Sequence, residues 1–190
     1  MTTVAGVDEA GRGPLAGPVA VAAVILDASH DWSNVDDSKK LEPEVRATLA
    51  EEIRAHSVWS VIFVSSSEVD RMNILAATMF GMQQAVRGLG DAPDRVLIDG
   101  NRCPDLPMPA EAMIGGDARE KCIGAASILA KQARDEYMIE LHERLPEYGF
   151  DRHKGYGTPE HLAALRRFGP TPEHRRSFAP VRDCLQGDLF

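Results

Sequence analysis

Apolar and polar positions recur along the chain with periods that separate strands from helices. Residues 3–7 form a short β-leaning run that ends in Asp8-Glu9, and residues 11–17 form a Gly/Pro-rich turn. Residues 18–26 (PVAVAAVIL) are rich in β-branched valine and read as a strand. Residues 28–41 are polar and loop-like. Pro43 stands where a first helical turn tolerates it, and residues 44–56 predict an amphipathic helix. Residues 58–64 read as a third strand. Across residues 67–88, Met72, Leu75, Met79, Met82 and Val86 fall three or four apart, the spacing of one helix face. Residues 95–98 (RVLI) predict a fourth strand ending at Asp99-Gly100-Asn101, and residues 112–114 a fifth. Residues 122–145 carry the longest helical pattern, opening with Gly124, Ala125, Ala126 and Ser127. Residues 148–158 read as a Gly-containing loop, residues 159–168 as a short helix, and residues 170–172 as a break. Strands followed by alternating helices and strands predict an α/β protein, a mixed sheet with helices on its faces. A small C-terminal helical appendage is expected after about residue 145.

A chain of 190 residues suits one domain with a full core. Apolar residues make up 44% and charged residues 26%, an ordinary globular balance. The longest apolar run, near residues 19–26, has the length of a strand and not of a membrane span. The first residues, MTTVAGVDEAG, lack the basic and apolar regions of a signal peptide, so the expectation is a cytoplasmic protein with no membrane partner. Cys103, Cys122 and Cys184 are widely spaced and odd in number, which argues against a disulfide framework or a zinc site.

The net charge of −8 argues at first against a nucleic-acid partner. Its distribution changes the picture. Through Asp117 there are 9 Lys and Arg against 18 Asp and Glu, whereas residues 118–182 hold 12 against 9. That second part also holds His142, His153, His161 and His174. An acidic first part followed by a mildly basic one suits a metal-loaded carboxylate site beside a phosphate-binding surface. It also suits a plain solvated surface.

Four acidic residues stand out. Asp8 and Glu9 end the first strand before a Gly turn, Asp99 ends a short apolar strand before Gly100, and Asp117 follows Gly115-Gly116. Carboxylates at neighbouring strand ends converge, and converging carboxylates repel unless cations lie between them. Mg²⁺ and Mn²⁺ favour such hard oxygen ligands. Two ions about 3.5–4 Å apart activate water and stabilise the leaving oxygen of a phosphodiester. Any one of these residues, taken alone, is better explained as loop decoration; four of them, each at a turn beside Gly, weaken that explanation. A dinucleotide-binding reading of Gly11, Gly13 and Ala16 fails, because Pro18 and a valine-rich strand follow where a helix N-terminus is needed. His153 and His161 lie eight apart with no HExxH, which excludes a zinc protease.

Six motifs then occur in order: Asp8-Glu9-Ala10-Gly11-Arg12-Gly13-Pro14; Asp37-Ser38-Lys39-Lys40-Leu41; Leu97-Ile98-Asp99-Gly100-Asn101; Gly116-Asp117; Ala125-Ala126-Ser127-Ile128-Leu129-Ala130-Lys131 with Arg134-Asp135; and His153-Lys154-Gly155-Tyr156-Gly157-Thr158. Together they resemble the ordered signature of bacterial ribonuclease HII, a type 2 ribonuclease H. The resemblance runs from Val7 to about Val181. It implies a ribonuclease H-like fold with a five-stranded mixed sheet flanked by helices. It implies that residues 1–145 form the catalytic core and residues 146–185 a substrate-binding appendage packed on it. It implies that Asp8, Glu9, Asp99 and Asp117 are the catalytic, metal-binding carboxylates for two Mg²⁺ or Mn²⁺ ions. The implied reaction is hydrolysis on the 5′ side of a ribonucleotide in RNA/DNA hybrids and in DNA with embedded ribonucleotides, leaving 3′-hydroxyl and 5′-phosphate ends. Gly11, Arg12 and Gly13 inherit the family's role of sensing the 2′-hydroxyl. Tyr156 inherits stacking on the neighbouring deoxyribose. Lys39 and Lys40 are candidates for holding backbone phosphates, against a solvated lysine pair. Ser127 and Lys131, one helical turn apart, are candidates for a substrate-facing pair, against ordinary helix surface. Asp135 is read as orienting side chains.

The chain departs from the family pattern in one place. Members usually carry Lys before the Gly-Asp pair and a Ser-containing segment after it, whereas this chain has Gly115 and then Ala118-Arg119-Glu120-Lys121-Cys122. The assignment of Asp117 therefore rests on its spacing from Asp99 and its place ahead of the Ala-Ala-Ser helix, with Arg119 and Lys121 the candidates for the missing charge.

The last five residues, 186–190, resemble the short Gln-x-x-Leu-Phe peptides that dock on the bacterial sliding clamp. Gln186 would be the polar anchor, and Leu189 and Phe190 the apolar pair for a groove. The alternative is a tail that folds back and buries both side chains on its own core. A monomer is expected. Two other functions remain open: a DNA nuclease on the same fold, which would have no use for a 2′-hydroxyl sensor, and a non-catalytic hybrid-binding protein, which would favour basic groups where the four carboxylates stand.

Overall fold

The computed structural model describes residues 2–35 and 41–187. Five strands, β1 (Val4–Ala10), β2 (Val19–Leu26), β3 (Ser57–Val64), β4 (Arg95–Asp99) and β5 (Ala110–Met113), form one sheet in the order β3-β2-β1-β4-β5. β2 runs antiparallel to β1 and β3, while β4 runs parallel to β1 and β5. The expected mixed five-stranded sheet is present. β1 runs through Asp8 and Glu9 to Ala10 and does not stop before them, because pairing with β2 continues to Ala10↔Ala20. β5 begins two residues and ends one residue earlier than the sequence pattern placed it.

β2 is buried on both faces, which explains its nearly continuous apolar sequence. On one face Val19, Val21 and Ala23 meet α3 (Ile74–Arg87) through Ala77, Met82 and Ala85. On the other, Ala22 and Val24 meet α1 (Pro43–His56) and α4 (Lys121–Arg144) through Leu49, Ile53, Ala125 and Ile128. The small residues at the start of α4 have a matching gap in the sheet. A Cβ on Gly6 would lie 2.1 Å from the backbone carbonyl carbon of Cys122. Any side chain at position 6 would push α4 off β1.

The helix expected over residues 67–88 is two helices, α2 (Ser66–Met72) and α3. Asn73 leaves the helical region with φ of 68°, and its side chain accepts hydrogen bonds from the Leu75 and Ala76 amides at 3.0 Å each. That local cap competes successfully with helix continuation.

Beyond α4 the chain forms α5 (Phe150–His153), α6 (Pro159–Phe168) and α7 (Ala179–Gln186). Here a four-residue helix stands inside the segment expected to be loop. Tyr148, Phe150 and Ala164 pack with Ala16, Met138 and Leu141, and Leu165 and Val181 pack with Leu15. The turn after β1 is therefore enclosed between α4 and the C-terminal helices. No described helix is long and apolar enough to cross a membrane.

Candidate active site

The parallel pairing of β1 and β4 aligns Val7 with Ile98. One step further, Asp8 and Asp99 stand side by side on the face toward α4. Asp8 is buried at 5% exposure. It accepts hydrogen bonds from the Ser127 side chain of α4 and, at 2.7 Å, from the Glu9 amide. Burial raises its pKa well above the usual carboxylate range, and the Glu9 and Asp99 charges raise it further. Glu9 is also raised, first by burial, with the Arg12 guanidinium opposing the shift. Arg12 reaches Glu9 Oε1 at 3.3 Å, but Glu9 Oε2 is buried with no hydrogen-bond partner among the described residues. Asp99 Oδ1 accepts from the Gly116 amide at 2.8 Å, which fixes the single 3₁₀ turn that carries the buried Asp117.

Among the described residues no three His, Cys, Asp or Glu side chains already form a metal cage. The fit to a divalent cation rests on donor chemistry. Asp8, Glu9 and Asp99 are hard oxygen donors, the Asp99 charge raises the proton affinity of Asp8 and Glu9, and one carboxylate oxygen of Glu9 is orphaned. A cation among them would relieve both conditions.

Beside these carboxylates opens a cavity of about 320 Å³ whose wall includes Glu9, Gly11, Arg12, Gly13, Ser127, Lys131 and Tyr156. Gly11 has φ of 91°, and a Cβ there would lie 1.8 Å from Arg134 Nε, so only glycine fits between the turn and α4. Tyr156 is 48% exposed, and its ring lies close to Gly13. Lys131 bonds both oxygens of Asp135, at 2.5 and 2.7 Å, and Arg46 from α1 meets the same carboxylate at 3.0 Å.

Compared with known proteins, the chain matches the Ribonuclease HII family over residues 5–181. The chain belongs to that family. A ribonuclease HII from Xanthomonas axonopodis pv. citri is 59% identical over 187 residues, covering 97% of this chain and 77% of the relative. Among solved structures, the ribonuclease H2 of Pyrococcus horikoshii OT3 superposes with a TM-score of 0.83 at 27% identity, covering 98% of each chain. The RNase HII of Archaeoglobus fulgidus, solved in complex with PCNA, superposes with a TM-score of 0.80 at 27% identity, covering 93% of this chain and 95% of that one. The fold is thus the ribonuclease H-like fold, and the chain is an endoribonuclease of the ribonuclease HII family.

In this ribonuclease HII chain the structure gathers most of the residues singled out in the sequence. Asp8, Glu9 and Asp99 are within electrostatic reach of one another, and Gly11, Arg12, Gly13, Ser127, Lys131 and Tyr156 share one cavity. Asp135 pairs with Lys131 and Arg46, as an orienting residue would. Lys121 is otherwise occupied: its ammonium bonds the Val35 carbonyl at 2.6 Å and the Ser33 carbonyl at 3.2 Å. Lys39 and Lys40 lie outside the described residues, as do Leu189 and Phe190. Gln186 is the exposed last residue of α7. Sequence reasoning passed over Arg175, whose guanidinium bonds the carbonyls of Gly11, Arg12 and Gly17. It named His161 and His174 but did not pair them, whereas in the fold they are buried and joined Nε2 to Nε2 at 3.1 Å. The available signal was indirect: a turn of seven residues with three glycines and one proline leaves many carbonyls to satisfy.

Proposed function

We propose that this endoribonuclease hydrolyses the phosphodiester on the 5′ side of ribonucleotides, in RNA/DNA hybrids and in DNA with embedded ribonucleotides. We assign it two-metal-ion catalysis with Mg²⁺ or Mn²⁺, leaving 3′-hydroxyl and 5′-phosphate ends. One observation carries the reading: Glu9 lines the same cavity as the Gly11, Arg12 and Gly13 turn and Tyr156, and it lies within electrostatic reach of the buried Asp8 and of Asp99. Divalent cations held by Asp8, Glu9, Asp99 and Asp117 would generate hydroxide from water and neutralise charge developing on the phosphate.

The chain's own groups do the rest. The Gly-Arg-Gly turn brings backbone close enough to read a 2′-hydroxyl. Tyr156, exposed at the cavity mouth, offers a face for a neighbouring sugar. Lys131 and Ser127 stand one helical turn apart on the wall, where a phosphate would lie, and Lys39 and Lys40 are assigned to further phosphates. Residues 146–185, which supply Tyr156, act as the substrate-binding appendage of the core in residues 1–145, and the enzyme is read as a cytoplasmic monomer. Residues 186–190 are assigned to a sliding clamp. The Archaeoglobus relative in complex with PCNA supports that partner, and Gln186 is exposed for it.

The test is an end-labelled DNA duplex containing one ribonucleotide, incubated with Mg²⁺, Mn²⁺ or EDTA. A metal-dependent cut on the 5′ side, lost in Asp99→Asn and absent from all-DNA duplex, is expected. Cutting of the all-DNA duplex would replace this reading with a DNA nuclease. Binding without cleavage under either metal would replace it with a hybrid-binding protein. Deletion of residues 186–190 should abolish clamp pull-down and leave cleavage unchanged.

A further inference from the structure

Two arginines are buried side by side behind the glycine turn. Arg175, 0% exposed, donates to the carbonyls of Gly11 at 2.6 Å, Arg12 at 2.8 Å and Gly17 at 2.8 Å. Arg134, 1% exposed, donates to Pro18 at 3.0 Å, Ala16 at 3.2 Å and Lys154 at 3.0 Å. Among the described residues neither forms an ion pair with a carboxylate. Burial and the Arg134 charge press the Arg175 pKa down to about 9, still above neutral pH, so the cation is retained. Two buried cations whose hydrogen bonds all go to carbonyls, with the Phe178 ring 5.2 Å from the Arg175 guanidinium, are a costly way to staple a loop. They do, however, fix the direction of the peptides they hold.

Every described peptide bond is trans. In a trans peptide the N–H points away from its own carbonyl. Drawing the Gly11 and Arg12 carbonyls toward Arg175 therefore turns the Arg12 and Gly13 N–H groups the other way. Arg12 and Gly13 also line the cavity shared with Glu9, Ser127 and Tyr156, the open space onto which those N–H groups can be aimed. The segment that carries Arg175 also holds Tyr156: His174 bonds His161, and His161 Nδ1 bonds the Tyr156 carbonyl at 2.9 Å.

We propose that Arg175 is a positioning residue for ribose recognition, aiming the Arg12 and Gly13 amides at the 2′-hydroxyl oxygen of the bound ribonucleotide. The inference rests on the ribonuclease reading given above. It explains why a residue 163 positions away in the chain is built against the turn. It also separates two contributions: Gly11 gives the turn its shape, and Arg175 gives it a direction.

The test compares wild type, Arg175→Gln and Arg175→Lys on a duplex with one ribonucleotide and on the same duplex in DNA. Arg175→Gln should lose roughly 10- to 100-fold in kcat/KM at the ribonucleotide, the cost of misdirecting buried donors. Its Kd for the all-DNA duplex should stay at the wild-type value. Arg175→Lys, which keeps the cation, should recover part of the loss. Val86→Ala, in α3 on the opposite face of the sheet, is the control for lost stability and should keep wild-type discrimination. Because an Arg175 variant can fail to fold, the Arg12 and Gly13 amide resonances of Asp99→Asn protein, which does not turn over, are followed as well. They should shift with the ribonucleotide duplex and stay in place with all-DNA duplex. Folded Arg175 variants that discriminate as wild type does would overturn the proposal. So would amides that respond alike to both duplexes. Absence of any ribonucleotide-dependent cleavage by wild type would instead overturn the ribonuclease reading itself.

Discussion

Acid should unfold this protein through His174, and the size of the effect follows from one hydrogen-bond chain. The Thr171 amide donates to His174 Nδ1 at 3.0 Å, so neutral His174 carries its proton on Nε2. That proton goes to His161 Nε2, 3.1 Å away, which leaves the His161 proton on Nδ1 for the Tyr156 carbonyl at 2.9 Å. Both nitrogens that would accept a further proton are already filled. Burial, then the neighbouring His161, lower the His174 pKa from 6.5 to about 3. His161 is lowered in the same direction, chiefly by burial. A group whose folded pKa is depressed takes up its proton preferentially in the unfolded chain. Stability is therefore complete above pH ~6.5 and is lost as pH falls toward ~3. Between pH 8 and pH 5 the His174 shift alone costs about 2 kcal/mol. For a chain of this size that is a fall of about 4–8 °C in Tm. The assay is urea unfolding of wild type and His174→Asn at both pH values. The asparagine oxygen still accepts from Thr171 but does not titrate, so subtracting the variant removes the other acid-sensitive groups. A difference between the two proteins that changes by less than about 0.5 kcal/mol from pH 8 to pH 5 would refute the assigned protonation pattern.

Other perturbations probe the rest of the frame. Asp8→Asn should abolish cleavage while raising stability by about 1 kcal/mol or more, since it removes a buried charge repelled by Glu9 and Asp99; thermal melting and the cleavage assay report the two effects separately. Gly6→Ala should destabilise by about 3 kcal/mol or more, because the new Cβ would lie 2.1 Å from backbone that cannot swing aside; urea unfolding measures it. Asp135→Asn should cost about 3 kcal/mol by leaving Arg46 and Lys131 close together without their shared anion. That loss should shrink in an Arg46→Met background, which unfolding of the double variant checks.

Much of this frame was legible because it rests on local patterns. The valines of β2 announce a strand buried on both faces, and Asp99 before Gly100 marks the end of β4. The Gly-Arg-Gly turn showed its conformational need in its composition. Elsewhere, tertiary pairing decided the outcome. Asp8 and Glu9 look like the end of a strand, yet the ladder to β2 carries β1 past them. The apolar period through residues 67–88 gives no hint that Asn73 will cap a new helix. His174-Arg175-Arg176 are three adjacent residues with no periodicity to separate a buried position from an exposed one. In the fold His174 and Arg175 are buried, while the Arg176 amide bonds Asp70 at an exposed site. No sequence rule distinguishes Arg175 from Arg176, because the difference lies in carbonyls more than 150 residues away.

An acidic protein that acts on a polyanion must solve its electrostatics locally. At physiological ionic strength charges more than about 8 Å apart through solvent are largely screened. The net charge of −8 is therefore a poor guide to what a phosphate meets at the cavity. There the wall holds Arg12 and Lys131, with Arg134 directly behind. The carboxylates would repel the same phosphate if bare. Burial raises the proton affinity of Asp8 and Glu9, and the neighbouring Asp99 charge raises both further. A cation bound among them would convert the most repulsive part of the site into an attractive one. Under the proposed function the substrate and the ions would depend on each other electrostatically, and recognition of the ribose would fall to neutral backbone donors. Those donors need direction more than charge, and direction is what the guanidinium of Arg175, buried against the Gly11 and Arg12 carbonyls, is placed to give.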